Sequence, residues 1–450
     1  MKQNKNTRRE FVKKALLAST AITVGGVLPG FSAGSYKRIF GANERFSIGI
    51  MGVNSRGLAL AETFARQSNC LVTYISDVDS RAAVKCVDKV AKIQPVAPKN
   101  VPDFRKALQQ KDMDVMVVAT PDHWHAPAAL LAMQAGKHVY LEKPCSHTPR
   151  EGELLIAAQK KYNKILQMGN QRRSFPNVRK GIEELHNGII GKVHYARTWY
   201  ANNRKPIGKG KVIAVPSWLD YELWQGPAPR RPLKDNLIHY NWHWFWHWGT
   251  GEALNNGTHM VDLARWGMQV DYPTKVTSVG GRYFYTDDWE TPDTQTIGLE
   301  FGNKGSIIWE GRSANGTRSE GDAVGVMFYG TKGSLKIGAG NGYSVYGLDS
   351  KLIKEVTPDR EIDSTDPANP AGLLDGYHVQ NMFNSIKGSA KLHSDIVSGH
   401  ISTLLVQLGN IAQRTSGTLH TNPQNGHILN NPKAMELWSR SYEKGWEPRV

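Results

Sequence analysis

Cysteine is scarce, no apolar run is long enough to cross a bilayer, and the basic residues gather into no stripe. Cys70, Cys86 and Cys145 are the only three cysteines in 450 residues. Their spacing matches neither a disulfide framework nor a zinc site, which excludes a cysteine-stapled module and a metal finger. The apolar stretch from Ala15 to Leu28 is too short and too rich in small residues to span a membrane stably. Internal repeats and low-complexity segments are missing, so neither a solenoid nor a linker-dominated chain fits. Formal net charge is +16, but no nucleic-acid motif accompanies it, and nucleic acid is not an expected partner. With 40% hydrophobic and 21% charged residues the chain is globular, and it is too long for one ordinary core. Two domains behind a short processed segment are expected.

The segment is legible at the start. Thr7-Arg8-Arg9-Glu10-Phe11-Val12-Lys13 precedes the apolar run, and Ser32-Ala33 offers small residues for cleavage. A twin arginine followed by Phe and Lys resembles the twin-arginine export signal. Residues 1–33 are therefore expected to be a leader, and the mature protein periplasmic or otherwise exported, with no membrane contact after processing. Removing six Lys/Arg and Glu10 with it leaves a charge of about +11.

Beyond residue 43, short apolar runs alternate with helical stretches. Phe46–Met51, Leu71–Ser76, Val115–Ala119 and Lys137–Leu141 read as strands, with helices after the first and third. That alternation predicts a parallel, doubly wound sheet over residues 44–165. The first strand enters Gly52-Val53-Asn54-Ser55-Arg56-Gly57. Gly52 permits a tight turn, Gly57 lets helix and strand approach, and the helix amides would face a pyrophosphate. Asn54 stands where the fingerprint has its middle glycine, and its tolerance of left-handed φ is expected to preserve the turn. Asp77 ends the second strand, placed to accept hydrogen bonds from both adenosine ribose hydroxyls, which favours NAD. Arg81 nearby leaves NADP open.

Glu142-Lys143-Pro144, Thr120-Pro121-Asp122-His123-Trp124-His125, Asn170-Gln171-Arg172 and Gly257-Thr258-His259-Met260-Val261-Asp262 occur in that relation along nearly the whole mature chain. Together with the Gly52–Gly57 turn, this set resembles the glucose-fructose oxidoreductase/inositol dehydrogenase/rhizopine-catabolism (Gfo/Idh/MocA) family. The resemblance implies a cofactor site of Gly52, Asn54, Arg56, Gly57, Asp77, Thr120, Pro121, Asp122, His125, Glu142, Lys143 and Asn170. It also implies that Lys143 lies beside the nicotinamide and the reacting hydroxyl, with a cis peptide before Pro144. The nicotinamide ring would disfavour its ammonium and bring its pKa towards neutrality. His259 is the second expected catalytic residue. The family's carboxylate one turn earlier is replaced here by Asn255, which can orient a hydroxyl but cannot ionise. Asp262 either restores a carboxylate for substrate or pairs with Arg265. Arg172 and Asn255 complete the expected substrate side.

The second domain, residues 166–450, carries strand-like runs at 193–200, 276–284, 294–301, 305–310, 324–329 and 333–337. Helical spacing marks 178–187, 379–386 and 400–414. A large, mostly antiparallel open sheet with helices on one face follows, and the resemblance implies subunit pairing through its open face. Asn241-Trp242-His243-Trp244-Phe245-Trp246-His247-Trp248-Gly249 reads either as a buried strand edge or clasp, or as a platform on which Trp246 and its neighbours stack a sugar ring. His243 and His247 lack a third ligand at suitable spacing, so no metal is expected. The implied activity is oxidation of a secondary hydroxyl on a sugar or glycoside with a tightly held, recycled cofactor. An NAD-dependent, redox-neutral glycosidase is the alternative, and a non-catalytic sugar-binding protein the third.

Overall fold

The computed structural model describes residues 45–357 and 374–450, so the expected leader lies outside the described residues. Two sheets organise the chain. The first contains β1 (Phe46–Met51), β2 (Cys70–Ser76), β3 (Lys99–Asn100), β4 (Val115–Val118), β5 (His138–Leu141) and β6 (Leu166–Met168). They lie in the order β3-β2-β1-β4-β5-β6, all parallel. Each central strand is a near-continuous apolar run because helices cover both faces. The strand order reverses between β1 and β4, and there the carboxyl ends open a crevice. Beyond the expected boundary at residue 165, β6 completes this sheet.

The second sheet contains β7 (Val193–Ala201), β8 (Lys275–Gly281), β9 (Thr294–Glu300), β10 (Ser306–Arg312), β11 (Val324–Gly330), β12 (Gly333–Ile337), β13 (Tyr343–Gly347), β14 (Leu352–Val356) and β15 (Leu419–His420). Their order is β14-β13-β12-β11-β7-β10-β9-β8-β15. Only β7 and β10 pair in parallel; every other neighbour is antiparallel. Along β10, Ile307, Trp309 and Gly311 are buried while Ser306, Ile308, Glu310 and Arg312 are partly exposed, the alternation of a sheet covered on one face. The helices Thr258–Met268 and Ile396–Thr415 supply that cover, with Leu263, Leu404, Leu405 and Leu408 in the shared core.

Chain order and spatial order part company near the end. The Asp375–Ile386 helix returns to the first sheet, where Val379, Met382 and Phe383 join Ile48, Ile50 and Phe64 in one core. The last residues return as well. Arg440 and Tyr442 both hydrogen-bond the enclosed Glu151 carboxylate, and Trp446 meets Trp124 edge-on. The aromatic run at 241–249 is not a strand: Asn241–Trp244 is a single 3-10 turn. It is fixed by ring contacts, with Trp244 stacked 3.9 Å from Trp289.

Candidate active site

The crevice begins at the glycine loop. Gly52 has φ +81, and a β-carbon there would sit 2.8 Å from the Ala119 carbonyl oxygen. At Gly57 a β-carbon would fall 1.7 Å from the Gly52 oxygen, so this glycine sets how closely helix Arg56–Ala65 meets the loop rather than forming the cleft wall. Asn54 lines the cleft and is exposed, but its φ is not positive. The expectation that asparagine's left-handed tolerance preserves the turn is therefore corrected: Gly52 alone takes the left-handed conformation. No side chain caps the first amides of the helix, and Asn54, Ser55 and Arg56 at its start face the cleft.

Asp77 closes the other side of the loop. Its carboxylate accepts from Val53 N at 2.6 Å and from Asp79 N at 2.8 Å. Burial pushes its pKa up, with the two backbone bonds opposing. Each oxygen keeps a lone pair for a ribose hydroxyl. Arg81, the cation that left NADP open, is committed to Asp79 through Nε and Nη2 at 3.0 and 2.8 Å, and it lies over the Trp218 ring. Asp77 thus faces this end while Arg81 is tied to Asp79, which suits an unphosphorylated ribose. Inside the same cleft Thr120 Oγ1, Gln171 Oε1 and His259 Nδ1 are buried without hydrogen-bond partners. Buried polar atoms are rarely left so, and the cradle, carboxylate and orphaned groups together fit a dinucleotide.

At the far end of the crevice, Lys143 follows β5, and the Lys143–Pro144 peptide is cis as the resemblance implied. Lys143 Nζ donates to Asn255 O at 2.7 Å and to Asn255 Oδ1 at 3.1 Å. Burial lowers its pKa from 10.5, while Glu142 and Asp122 oppose the shift. His259 lines the same cleft. Burial, with Lys143, Arg172 and Arg56 nearby, holds it well below the ordinary histidine value, so the ring is neutral and carries a free lone pair. Asn255 belongs to a π-helical turn, Ala253–Gly257, that runs into the helix bearing His259. Such turns re-aim side chains within a helix and recur at functional sites.

Of the remaining expected residues, Pro121, Asp122 and His125 line the cleft at the start of helix Asp122–Gln134. His125 is pinned by the Pro144 and Thr120 carbonyls at 2.5 and 2.9 Å, while Asp122 accepts from Thr250 Oγ1. Arg56 and Glu142 also line the cleft, but they spend their charges on each other at 2.8 Å. Arg56 Nη1 further reaches Asp375 Oδ2 at 2.6 Å. Although burial alone would raise it, Glu142 is held low by Arg56 and Lys143. Arg172 lines the cleft while donating to the Ala339 and Gly340 carbonyls at 2.6 and 3.0 Å, and burial pushes its pKa down to about 10.

Besides Gly57, three expected residues are not on the cleft wall. Asn170 is buried with both side-chain polar atoms unpartnered. Asp262 is not a substrate carboxylate: it pairs with Arg173 through two 2.8 Å bonds and accepts from Ser402, and Arg265 turns instead to Asp271. Trp246 is no sugar platform: its amide is bound by Glu290 and its ring is covered by Arg414. Aromatic residues that do line the cleft include Tyr200, Trp224, Tyr240 and Trp242. His243 and His247 bind the Tyr240 and Pro229 carbonyls separately, and among the described residues no cluster of three potential metal ligands occurs.

Sequence reasoning missed a polar group on the second-domain wall. Glu252 pairs with Arg204, whose Nη1 donates to the Tyr240 hydroxyl at 2.8 Å. Asn256 donates to the same carboxylate. Tyr240 holds φ +76, a costly conformation for a non-glycine residue that tends to be kept at functional sites. Glu252, one turn before Asn255 and Asn256, was the available signal.

A sheet of this strand order, with a glycine turn, an acidic strand end and a buried lysine–histidine pair at its carboxyl edge, is the frame of an NAD-binding oxidoreductase. Residues 46–170 match the model described as "Oxidoreductase family, NAD-binding Rossmann fold", and residues 226–336 match "GFO/IDH/MocA C-terminal domain". The chain belongs to the Gfo/Idh/MocA family. A glycosyl hydrolase family 109 protein of Saccharopolyspora erythraea is 28% identical over 232 residues, 48% of this chain and 50% of that protein. The alpha-N-acetylgalactosaminidase of Shewanella oneidensis is 25% identical over 235 residues, with the same 48% and 50% coverage. The chain thus spans about half the length of these relatives. Among solved structures, levoglucosan dehydrogenase in complex with NADH and levoglucosan aligns at TM-score 0.65 and 17% identity, over 84% of this chain and 99% of that one. Aldose-aldose oxidoreductase from Caulobacter crescentus, complexed with glycerol, aligns at 0.63 and 17% with the same coverage. At that identity the likeness is one of fold.

Proposed function

We propose that this protein oxidises a secondary hydroxyl of a sugar or glycoside and keeps its nicotinamide cofactor bound between turnovers. The observation that carries the reading is that Lys143 and His259 are both buried in one cleft, close enough for the lysine charge to act on the imidazole, beside a dinucleotide cradle. NAD, held by the Gly52–Gly57 loop and Asp77, would supply the hydride acceptor. Lys143, with its proton loosened by burial and its amine aimed by Asn255, takes the proton of the reacting hydroxyl. His259, neutral and unpartnered at Nδ1, accepts a hydrogen bond from the same or the adjacent hydroxyl and fixes which carbon faces the cofactor. Arg204, held by Glu252, and Tyr240 present a fixed donor and a hydroxyl to the rest of a polyhydroxylated ring. The solved structures that share the fold bear sugar and aldose names, which supports a carbohydrate substrate. The twin-arginine reading of residues 7–13 adds an exported location, where hydride taken in must also be handed out.

A second reading, a redox-neutral glycosidase, is favoured by the names of the curated relatives. In it Lys143 or His259 also removes the acidified C–H proton next to the oxidised carbon, water adds after the glycosidic bond breaks, and the hydride returns. A glycoside panel followed at the nicotinamide absorbance, with free sugar assayed in parallel, separates them. Net reduction of bound cofactor by a glycoside supports the first reading, whereas free sugar without net reduction selects the second. Protein that neither retains NAD nor gains thermal stability from it overturns both.

A further inference from the structure

The segment between β7 and the π-helical turn builds a small core of its own. Leu219, Tyr221, Trp224, Leu237, Phe245 and Trp248 pack together, and Val78, from the loop after β2, packs against them. The seam with the first domain falls on the residues that follow Asp77. Ser80 N donates to Trp218 O at 3.0 Å and Asp220 N to Val78 O at 3.0 Å, an antiparallel bridge centred on Asp79 and Leu219. His239 Nε2 donates to Asp79 Oδ2 at 2.8 Å. The Trp218 ring stacks with the His239 ring and carries the Arg81 guanidinium 3.4 Å from its centroid. Val78, Leu223, Trp224, His239 and Trp242 line the same cleft as Asp77.

We infer that residues 202–248 form a strap which roofs the adenosine end of the cleft and makes the bound dinucleotide captive. The inference rests on the dinucleotide reading above and adds the residues that govern its release. An adenosine seated against Asp77 leaves only if the backbone bridge, the His239–Asp79 bond and the Trp218 stack open together, because all three fasten one short seam. Lys143 follows β5, three strand positions from β2, or ~14 Å across the sheet. The seam at Trp218 and His239 therefore acts on cofactor exchange, while Arg204 and Tyr240 of the same segment serve the substrate side. A captive cofactor is also what a two-substrate hydride cycle requires, since the carrier must outlast the departure of the first product.

The test uses the full chain carrying NAD, desalted and then incubated with excess isotopically labelled NAD, with native mass spectrometry following replacement of the bound molecule. In the unaltered protein, replacement is expected to take hours. In Trp218→Ala and in His239→Ala it is expected to be at least tenfold faster. His239→Asn, which keeps an N–H donor towards Asp79, should recover most of the slow exchange, and Lys351→Ala, at an exposed position away from the cleft, should exchange like the unaltered chain. Replacement within seconds in the unaltered protein overturns the strap, as does Lys351→Ala accelerating exchange as much as the strap variants do. Slow exchange persisting in both alanine variants has the same force. A chain that binds no NAD at all fails the dinucleotide reading itself, which is a different result from rapid exchange.

Discussion

Lys143 is enclosed, yet its amine has only the two Asn255 oxygens as partners, and a lysine so placed gives up its proton more readily than one in water. Because its pKa is lowered, the free amine dominates above a pH that lies below 10.5, and the ammonium dominates beneath it. For alcohol oxidation, kcat/KM is expected to rise with pH through that value and then level off. His259 stays neutral to well below pH 6.5, so no acid limb should appear near 6.5. A profile from pH 5.5 to 10.5 checks both; a limb at 6.5 would assign the proton work elsewhere. Lys143→Ala is expected to lower kcat by roughly 10²–10⁴-fold. Lys143→Arg should not rescue it, since a guanidinium does not deprotonate in this range. Asp262 gives the opposite case. Asp262→Ala leaves Arg173 buried without its carboxylate and should cost about 3–5 kcal/mol in urea denaturation. Gly52, Gly57 and Asp77 could be placed from the sequence because each sits at a fixed offset from a strand end, whereas Lys143 and His259 were placed through the family resemblance of Glu142–Pro144 and Gly257–Asp262. Arg204, Tyr240 and Asp375 were not, since their partners lie 48, 36 and 319 positions away and no local pattern announces them.

At the level of elements, the glycine loop shows why pattern and geometry can differ by one residue. The fingerprint's middle position read as a place needing left-handed tolerance, but the turn spends its single positive φ at Gly52. Asn54→Gly should therefore not strengthen the turn. It is expected to cost about 0.5–1 kcal/mol through unfolded-state entropy, read as a small fall in melting temperature. Gly57→Ala should destabilise by about 1–3 kcal/mol and weaken NAD binding, because the clash is with backbone that cannot rotate away. Calorimetry with and without NAD separates the two effects. Strands were legible where burial is continuous, as in Val115–Val118, or strictly alternating, as in Thr294–Glu300. The exposed β14 and two-residue β15 carry no such signal, because their pairing depends on neighbours distant in sequence. The run Asn241–Gly249 misled by its alternation. Its conformation is set by the Trp244–Trp289 stack and the Arg204 cation over Trp244, contacts that span 45 and 40 positions of chain.

For the whole molecule, what matters is how much of the first domain is supplied from the other end of the chain. The Asp375–Ile386 helix completes one face of the parallel sheet, and Arg440 neutralises, while Tyr442 donates a hydrogen bond to, a carboxylate that is otherwise fully enclosed. Arg440→Ala should cost about 3–5 kcal/mol, measured as a shift in urea midpoint, although it lies in the last eleven residues. NAD at a hundredfold its dissociation constant should add ~2.7 kcal/mol, and a melt that rises as one transition would show both sheets responding to one ligand.

The bridge from Arg56 through Glu142 to Asp375 also orders events in time. A ribosome that has released the first 170 residues has delivered every strand of the parallel sheet, but neither the carboxylate that anchors the far side of Arg56 nor the helix that seals Ile48 and Phe64 from water. The nucleotide cradle is therefore expected to mature only after the Asp375–Ile386 helix has emerged, some two hundred residues behind the last strand of the sheet it completes.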